Sequence, residues 1–197
     1  MLLGLILHYV RRDALHYIFR YTPESFKKFW PERFVIRTHI AAAMVMILLG
    51  PLQFWTGFRR RYMTLHRWSG RVFLLTGAVA ACLVLYMGLH PLLGGVVYGF
   101  GLFLNGLFWL AAAAMAYYAI RIGNVQVHKE WMIRTYVLTC AGLVGVRVIF
   151  DMDFLGRRIG PDALNDLSTW ANWTVPLMVT EIALQIRRLQ KNARPRR

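Results

Sequence analysis

RVFLLTGAVAACLVLYMGLHP, residues 71–91, carries no charged side chain between Arg71 and Pro91. The hydrocarbon core of a bilayer takes roughly 20 helical residues to cross. This run therefore reads as a transmembrane helix. Working outward from it, four more spans are expected, at 34–56, 97–121, 131–150 and 171–187. The first is interrupted late by Gly50-Pro51, where the missing N–H should bend or end the helix. The third is rich in Gly and Ala, which lets helices approach closely. The fifth is short and holds Pro176 and Glu181. The expected fold class is an all-α integral membrane bundle of about five transmembrane helices, two hairpins plus one.

Composition agrees with that reading. The chain has 197 residues, 57% of them hydrophobic and 17% charged, with a mean hydropathy of +0.42. A soluble domain carries about 25% charged residues. The 24 Lys and Arg outnumber the 9 Asp and Glu. In a soluble protein such an excess points to nucleic acid. Here the basic residues flank apolar spans, so the positive-inside rule and anionic headgroups account for them and no nucleic-acid partner is expected. Cys82 and Cys140 fall in mid-span and read as packing residues rather than a disulfide or metal site. No signal peptide is evident, because Met1–Val10 has no basic region before it.

Three regions follow. Residues 1–33 form an N-terminal segment in which His8, Arg12, His16 and Arg20 recur every four positions opposite an apolar face. This predicts an amphipathic helix in the membrane interface. Residues 34–187 form the bundle, with a polar loop at 151–170. Residues 188–197 form a basic, disordered tail. Basic residues concentrate on the side holding 57–70, 122–130 and the C-terminus, so that side is expected to be cytoplasmic. Five spans then leave the basic N-terminal segment outside, a conflict that insertion of Met1–Tyr21 or one more span would remove.

Two phrases stand where polar connections enter apolar spans: His66-Arg67-Trp68-Ser69-Gly70-Arg71 and His128-Lys129-Glu130-Trp131-Met132-Ile133-Arg134. Each reads His, basic, Trp, with Arg three residues after the Trp. They lie 62 residues apart, about one helical hairpin and its return. Thr64 is an expected N-cap for the helix containing the first. If the two hairpins are equivalent, an axis along the membrane normal brings His66 and His128 face to face. Two neutral imidazoles on facing helices are what axial ligation of a haem iron requires. Arg67, Arg71 and Arg134 would hold its carboxylates. The same residues equally read as interfacial anchors meeting lipid phosphate, or as a quinone or small-molecule site.

On the other side, His39 and His90 sit at similar expected depth and admit a second haem. Arg37, Arg147 and Glu181, with Asp151, read as structural ion pairs that fix helix register. There is no H-E-x-x-H, G-x-S-x-G, phosphate-binding Gly loop or C-x-x-C. Zinc on His66 and His128 lacks a third protein ligand.

The motifs taken together resemble a family. They are Arg37-Thr38-His39, Leu49-Gly50-Pro51-Leu52-Gln53-Phe54, the two His phrases with Thr135-Tyr136 after the second, and Arg147. The family is the bacterial one called domain of unknown function 2306, predicted integral membrane proteins, and the likeness covers about residues 34–186. The resemblance implies a multi-pass inner-membrane protein and brings no activity with it. Members carry a fuller apolar span ahead of the first motif, where this chain has Arg11-Arg12-Asp13. The layout is also distantly similar to membrane b-type cytochromes. The residues leave two functions side by side: a haem b or quinone-interacting electron-transfer protein, or a cofactor-free accessory subunit of a larger membrane complex or a small-molecule- or lipid-binding membrane protein.

Overall fold

The computed structural model describes residues 4, 7–8, 10–19, 30–91, 95–142, 149 and 157–193. Among these no strand occurs, and every element is helical. A wide π-helical turn, Val10–Ala14, leads into α1 (Leu15–Phe19). Then come α2 (Arg33–Phe54), α3 (Thr56–Arg61), α4 (Met63–Leu89), α5 (Val96–Arg121), α6 (Val125–Cys140) and α7 (Pro161–Ala193). Arg20, Arg147, Asp151 and Asp153 lie outside the described residues.

Three helices, α2, α4 and α5, are long and apolar enough to cross a membrane. α2 passes through Pro51 and ends only at Phe54, where the Trp55 amide donates to the Pro51 carbonyl. The missing proline donor therefore shortens the helix by little. α4 begins at Met63 with Tyr62 in the capping position, so Thr64 lies inside the first turn and caps nothing. α7 departs most from expectation. Pro161 opens it, where a missing N–H has no partner to lose. It runs on through Ala193, absorbing half of the expected 151–170 loop and much of the expected disordered tail.

α2 packs on α4, α4 on α5, α5 on α6 and α6 back on α2, closing a four-helix ring. α7 lies outside the ring against α5 and α6, and α1 rests on α2. Helices α4 and α6 thus stand diagonally opposite, as do α2 and α5. Met46, Phe73, Ala80 and Ala116 fill the core. Leu48, Leu75, Leu107 and Val179 point outward and are exposed. Apolar exposure at these depths matches a hydrocarbon surround, which leaves packing rather than hydrophobicity to hold helices together.

The α4–α5 seam shows how. A Cβ on Gly88 would lie 2.5 Å from the Phe103 amide nitrogen and 2.9 Å from the Gly99 carbonyl oxygen. One on Gly106 would meet the Leu85 nitrogen at 2.9 Å. The two backbones touch because these positions have no side chain.

Candidate functional site at one end of the bundle

The α5–α6 connection is three residues long, and its backbone fixes the site. Gly123 takes φ +77°, the left-handed region that favours glycine. Its amide donates to Ile120 O at 3.1 Å, and the Asn124 amide donates to Ala119 O at 2.9 Å. This is the two-bond pattern of a Schellman helix end. Asn124 then starts α6, its side-chain oxygen accepting from Val127 N–H at 3.1 Å. One residue closes α5 and caps α6.

His128 follows in the first turn of α6. Its Nδ1 lies 2.8 Å from the Ala116 carbonyl oxygen of α5. A carbonyl only accepts, so Nδ1 carries the proton and Nε2 keeps its lone pair in the neutral ring. Diagonally opposite, His66 lies on the core-facing side of α4 with Gly70, Phe73 and Gly77. Its Nδ1 is buried without a protein hydrogen-bond partner. The two rings are within electrostatic reach across the ring of helices. His66 lies ahead of the apolar run that starts at Arg71, outside the hydrocarbon. There, burial first, then the charges of Arg59, His128 and Arg67, hold its imidazole below the usual value. That favours the neutral ring.

The other motif residues gather at this end. Gln53, buried in the last turn of α2, donates from Nε2 to Ser69 Oγ at 2.7 Å. Ser69 Oγ donates on to Leu65 O at 2.8 Å. A Cβ on Gly70 would lie 3.1 Å from Gln53 Oε1. Gly50 abuts the Tyr136 ring, which tilts against Phe54 at 5.5 Å and Phe73 at 6.4 Å. The α2 phrase therefore touches both the α4 phrase and the α6 phrase.

Arg134 is placed differently from expectation. It is buried, lies over Trp131 at 4.6 Å and grips Glu181 of α7 with two bonds, Nε–Oε1 at 2.5 Å and Nη2–Oε2 at 2.9 Å. Its charge is thereby balanced by Glu181. Glu181 correspondingly meets Arg134 rather than Arg37, which stands near the opposite end of α2. Two turns further out on α7, Arg188 pairs with Glu130, which also accepts from Gln126 Nε2 at 2.9 Å. The hydrogen bond from Arg188 holds the Glu130 carboxyl below the ordinary carboxylate value. Sequence reasoning gave Glu130 no role. Its signal was the four-residue spacing of Gln126, Glu130 and Arg134, which places all three on one helical face.

Arg71 also turns away. It lies over the Trp68 ring at 4.8 Å, and both are exposed on the outer face of α4. Arg67, with Arg59, stays near enough to influence His66.

His39 and His90 do not meet. The Nδ1 of His39 lies 3.1 Å from the Ala80 carbonyl oxygen, and the ring stands edge-on to Trp109 at 6.1 Å, in mid-bundle. His90 caps the end of α4 with Nδ1 3.1 Å from Tyr86 O. Ten residues of helix separate Ala80 from His90, about 15 Å. The two residues therefore stand at different depths rather than at the similar depth expected.

Residues 36–184 match the family model described as "Predicted membrane protein (DUF2306)". The chain belongs to this family of membrane proteins. No curated protein and no solved structure matches it. The matched range holds every residue that gathers at the α2–α4–α6 end, and also His39 and Glu181. In this chain the Gly50–Phe54, His66–Arg71 and His128–Tyr136 motifs lie at one end of the bundle, while Arg37 and His39 lie away from it.

Proposed function

We propose that this DUF2306 protein is an electron-transfer protein holding a b-type haem between His66 and His128. The observation that carries the reading is the hydrogen bond from His128 Nδ1 to the Ala116 carbonyl. Metal-ligating histidines characteristically donate their second nitrogen to such a carbonyl, which fixes the ring and makes the free nitrogen more basic. Here that leaves His128 Nε2 as the ligand atom, with His66 on the diagonal helix as the second.

The donor set fits the group. His66 favours the neutral form that iron binds. His66 Nδ1 is a buried polar atom without a protein partner. Arg59 and Arg67 are the cations near His66, and they replace Arg71 and Arg134 as partners for the haem carboxylates. When bound, the haem supplies a one-electron carrier at the end of the bundle. A lipid-soluble quinone is the electron partner of this reading. In mid-bundle, Trp109 Nε1 is a buried donor and Asn105 Oδ1, one turn away on the same helix, a buried acceptor, neither with a protein hydrogen-bond partner.

The test is the absorption spectrum of protein purified with haem supplied during expression, oxidised and then reduced with dithionite. A sharp Soret band with reduced α and β bands is expected, and either His66→Ala or His128→Ala should abolish it. A colourless wild type overturns the reading and leaves a cofactor-free accessory subunit, which should co-purify with a larger complex. A pigment surviving both substitutions overturns the ligand assignment.

A further inference from the structure

We propose that the outer corner formed by α3 and the first turns of α4 is a binding site for the phosphate headgroup of an anionic phospholipid. This inference is independent of the haem reading, because it uses the outward arginines and not the imidazoles.

From Arg33 to Lys129 the chain contains no Asp or Glu. Into this acid-free stretch fall Arg59, Arg60, Arg61, Arg67 and Arg71. None of the five pairs with a carboxylate among the described residues. Concentrated positive charge without an internal counter-ion calls for an external one. Arg59 is half-buried, and Arg60, Arg61, Arg67 and Arg71 are exposed; Arg59 and Arg67 also act on His66, so the corner rests on Arg60, Arg61 and Arg71.

The outward arginines are held in a particular way. Arg71 lies over Trp68 at 4.8 Å and Arg61 over Tyr62 at 5.5 Å. A guanidinium resting on an aromatic face keeps its N–H groups pointing outward in its own plane. That is the geometry for bidentate recognition of phosphate oxygens. At the start of α3, Trp55 stacks on Phe58 at 6.4 Å. Trp55 and Trp68 are each about 60% exposed, at 61% and 60%.

Depth decides between a lipid and a free anion. Arg71 is the last charged residue before the apolar run, so this corner lies at headgroup level. Indole rings at that level pack against glycerol and the first acyl carbons while arginines meet phosphate. Inorganic phosphate would use the arginines and leave the indoles unexplained. A choline headgroup brings its own cation among arginines with no carboxylate to receive it, so the site should prefer a net-negative lipid.

The experiment is competition on the detergent-purified full chain, read by native mass spectrometry with equimolar phosphatidylglycerol and phosphatidylcholine. A juxtamembrane basic residue is worth about fivefold in binding to an anionic surface. Phosphatidylglycerol should therefore be retained over phosphatidylcholine by about tenfold or more, and Arg60→Gln with Arg61→Gln and Arg71→Gln should bring the two lipids close to parity. All three side chains are exposed, so the fold should survive. Should the triple variant not accumulate, the wild-type preference decides alone. Equal retention of both lipids by the wild type overturns the proposal. So does a triple variant that holds phosphatidylglycerol like the wild type. Excess inorganic phosphate that strips phosphatidylglycerol completely would reassign the corner to a free anion and overturn the lipid assignment.

Discussion

The α4–α5 seam and the α6–α7 seam join neighbouring helices by opposite means. At the first, Gly88, Gly99 and Gly106 remove side chains until backbone meets backbone. At the second, Arg134–Glu181 and Glu130–Arg188 join helices through charged side chains. The first is insensitive to pH and salt and intolerant of added volume. The second tolerates volume and depends on ionisation. The comparison teaches that a membrane bundle can place its rigid joint in the hydrocarbon and its titratable joint toward the polar end, where charges are less costly to hold.

Four substitutions or conditions sharpen that contrast, from the largest effect to the smallest. Gly88→Ala should destabilise by about 3 kcal/mol, because its Cβ meets backbone that cannot rotate away. Denaturant titration in detergent micelles measures this, and near-neutral behaviour would mean that the seam slides apart freely. Glu181→Gln should remove about 2 kcal/mol by leaving buried Arg134 without its charged acceptor. Glu181→Asp, which keeps the charge at a shorter reach, should recover part of it.

Acidification should come next. Glu130 is held below its ordinary value of 4.5, so the unfolded chain binds the proton more readily. Its contribution is complete above 4.5 and is lost as pH falls through the lower folded value. The loss should be about 1 kcal/mol or less, since Arg188 is nearly half exposed. His66 is likewise held below 6.5, so stability begins to fall as pH drops below 6.5. Hydrogen exchange along α7 reports the Glu130 part, and Glu130→Gln should flatten it while leaving the α4–α5 seam unchanged. Gly70→Ala should be mildest, about 1 kcal/mol or less, because the atom it meets is the movable end of Gln53. A loss as large as that of Gly88→Ala would show that Gln53 is pinned.

Three helices of the ring, α2, α4 and α5, were legible because membrane spans declare themselves by length and by absence of charge, whereas α6 carries Lys129, Glu130 and Arg134. The run at 71–91 sufficed for α4. α7 was harder to read. Its polar start at Pro161 and basic finish at Ala193 lie outside any apolar window, so only tertiary packing reveals one 33-residue helix. Pro51 marked the helix end to within one turn, since α2 closes at Phe54. At the site, repetition of His, basic, Trp and Arg drew attention to His66 and His128. Which arginines face them was not legible, because it depends on helix rotation. Arg71 and Arg134 share a spacing from their tryptophans, yet one faces outward and the other grips Glu181. Backbone acceptors such as Ala116 O and Ala80 O leave no mark in a sequence at all.

The turn at 122–124 also acts as a phase-setter between two helices. Because Asn124 both closes α5 and opens α6, no slack remains in which a length change could be absorbed. One residue more or fewer there would rotate α6 by about 100° about its own axis. His128 would swing off the Ala116 carbonyl, and Glu130 and Arg134 would leave Arg188 and Glu181 in the same movement. The imidazole and the ion pairs are thus indexed to the length of a single three-residue connection.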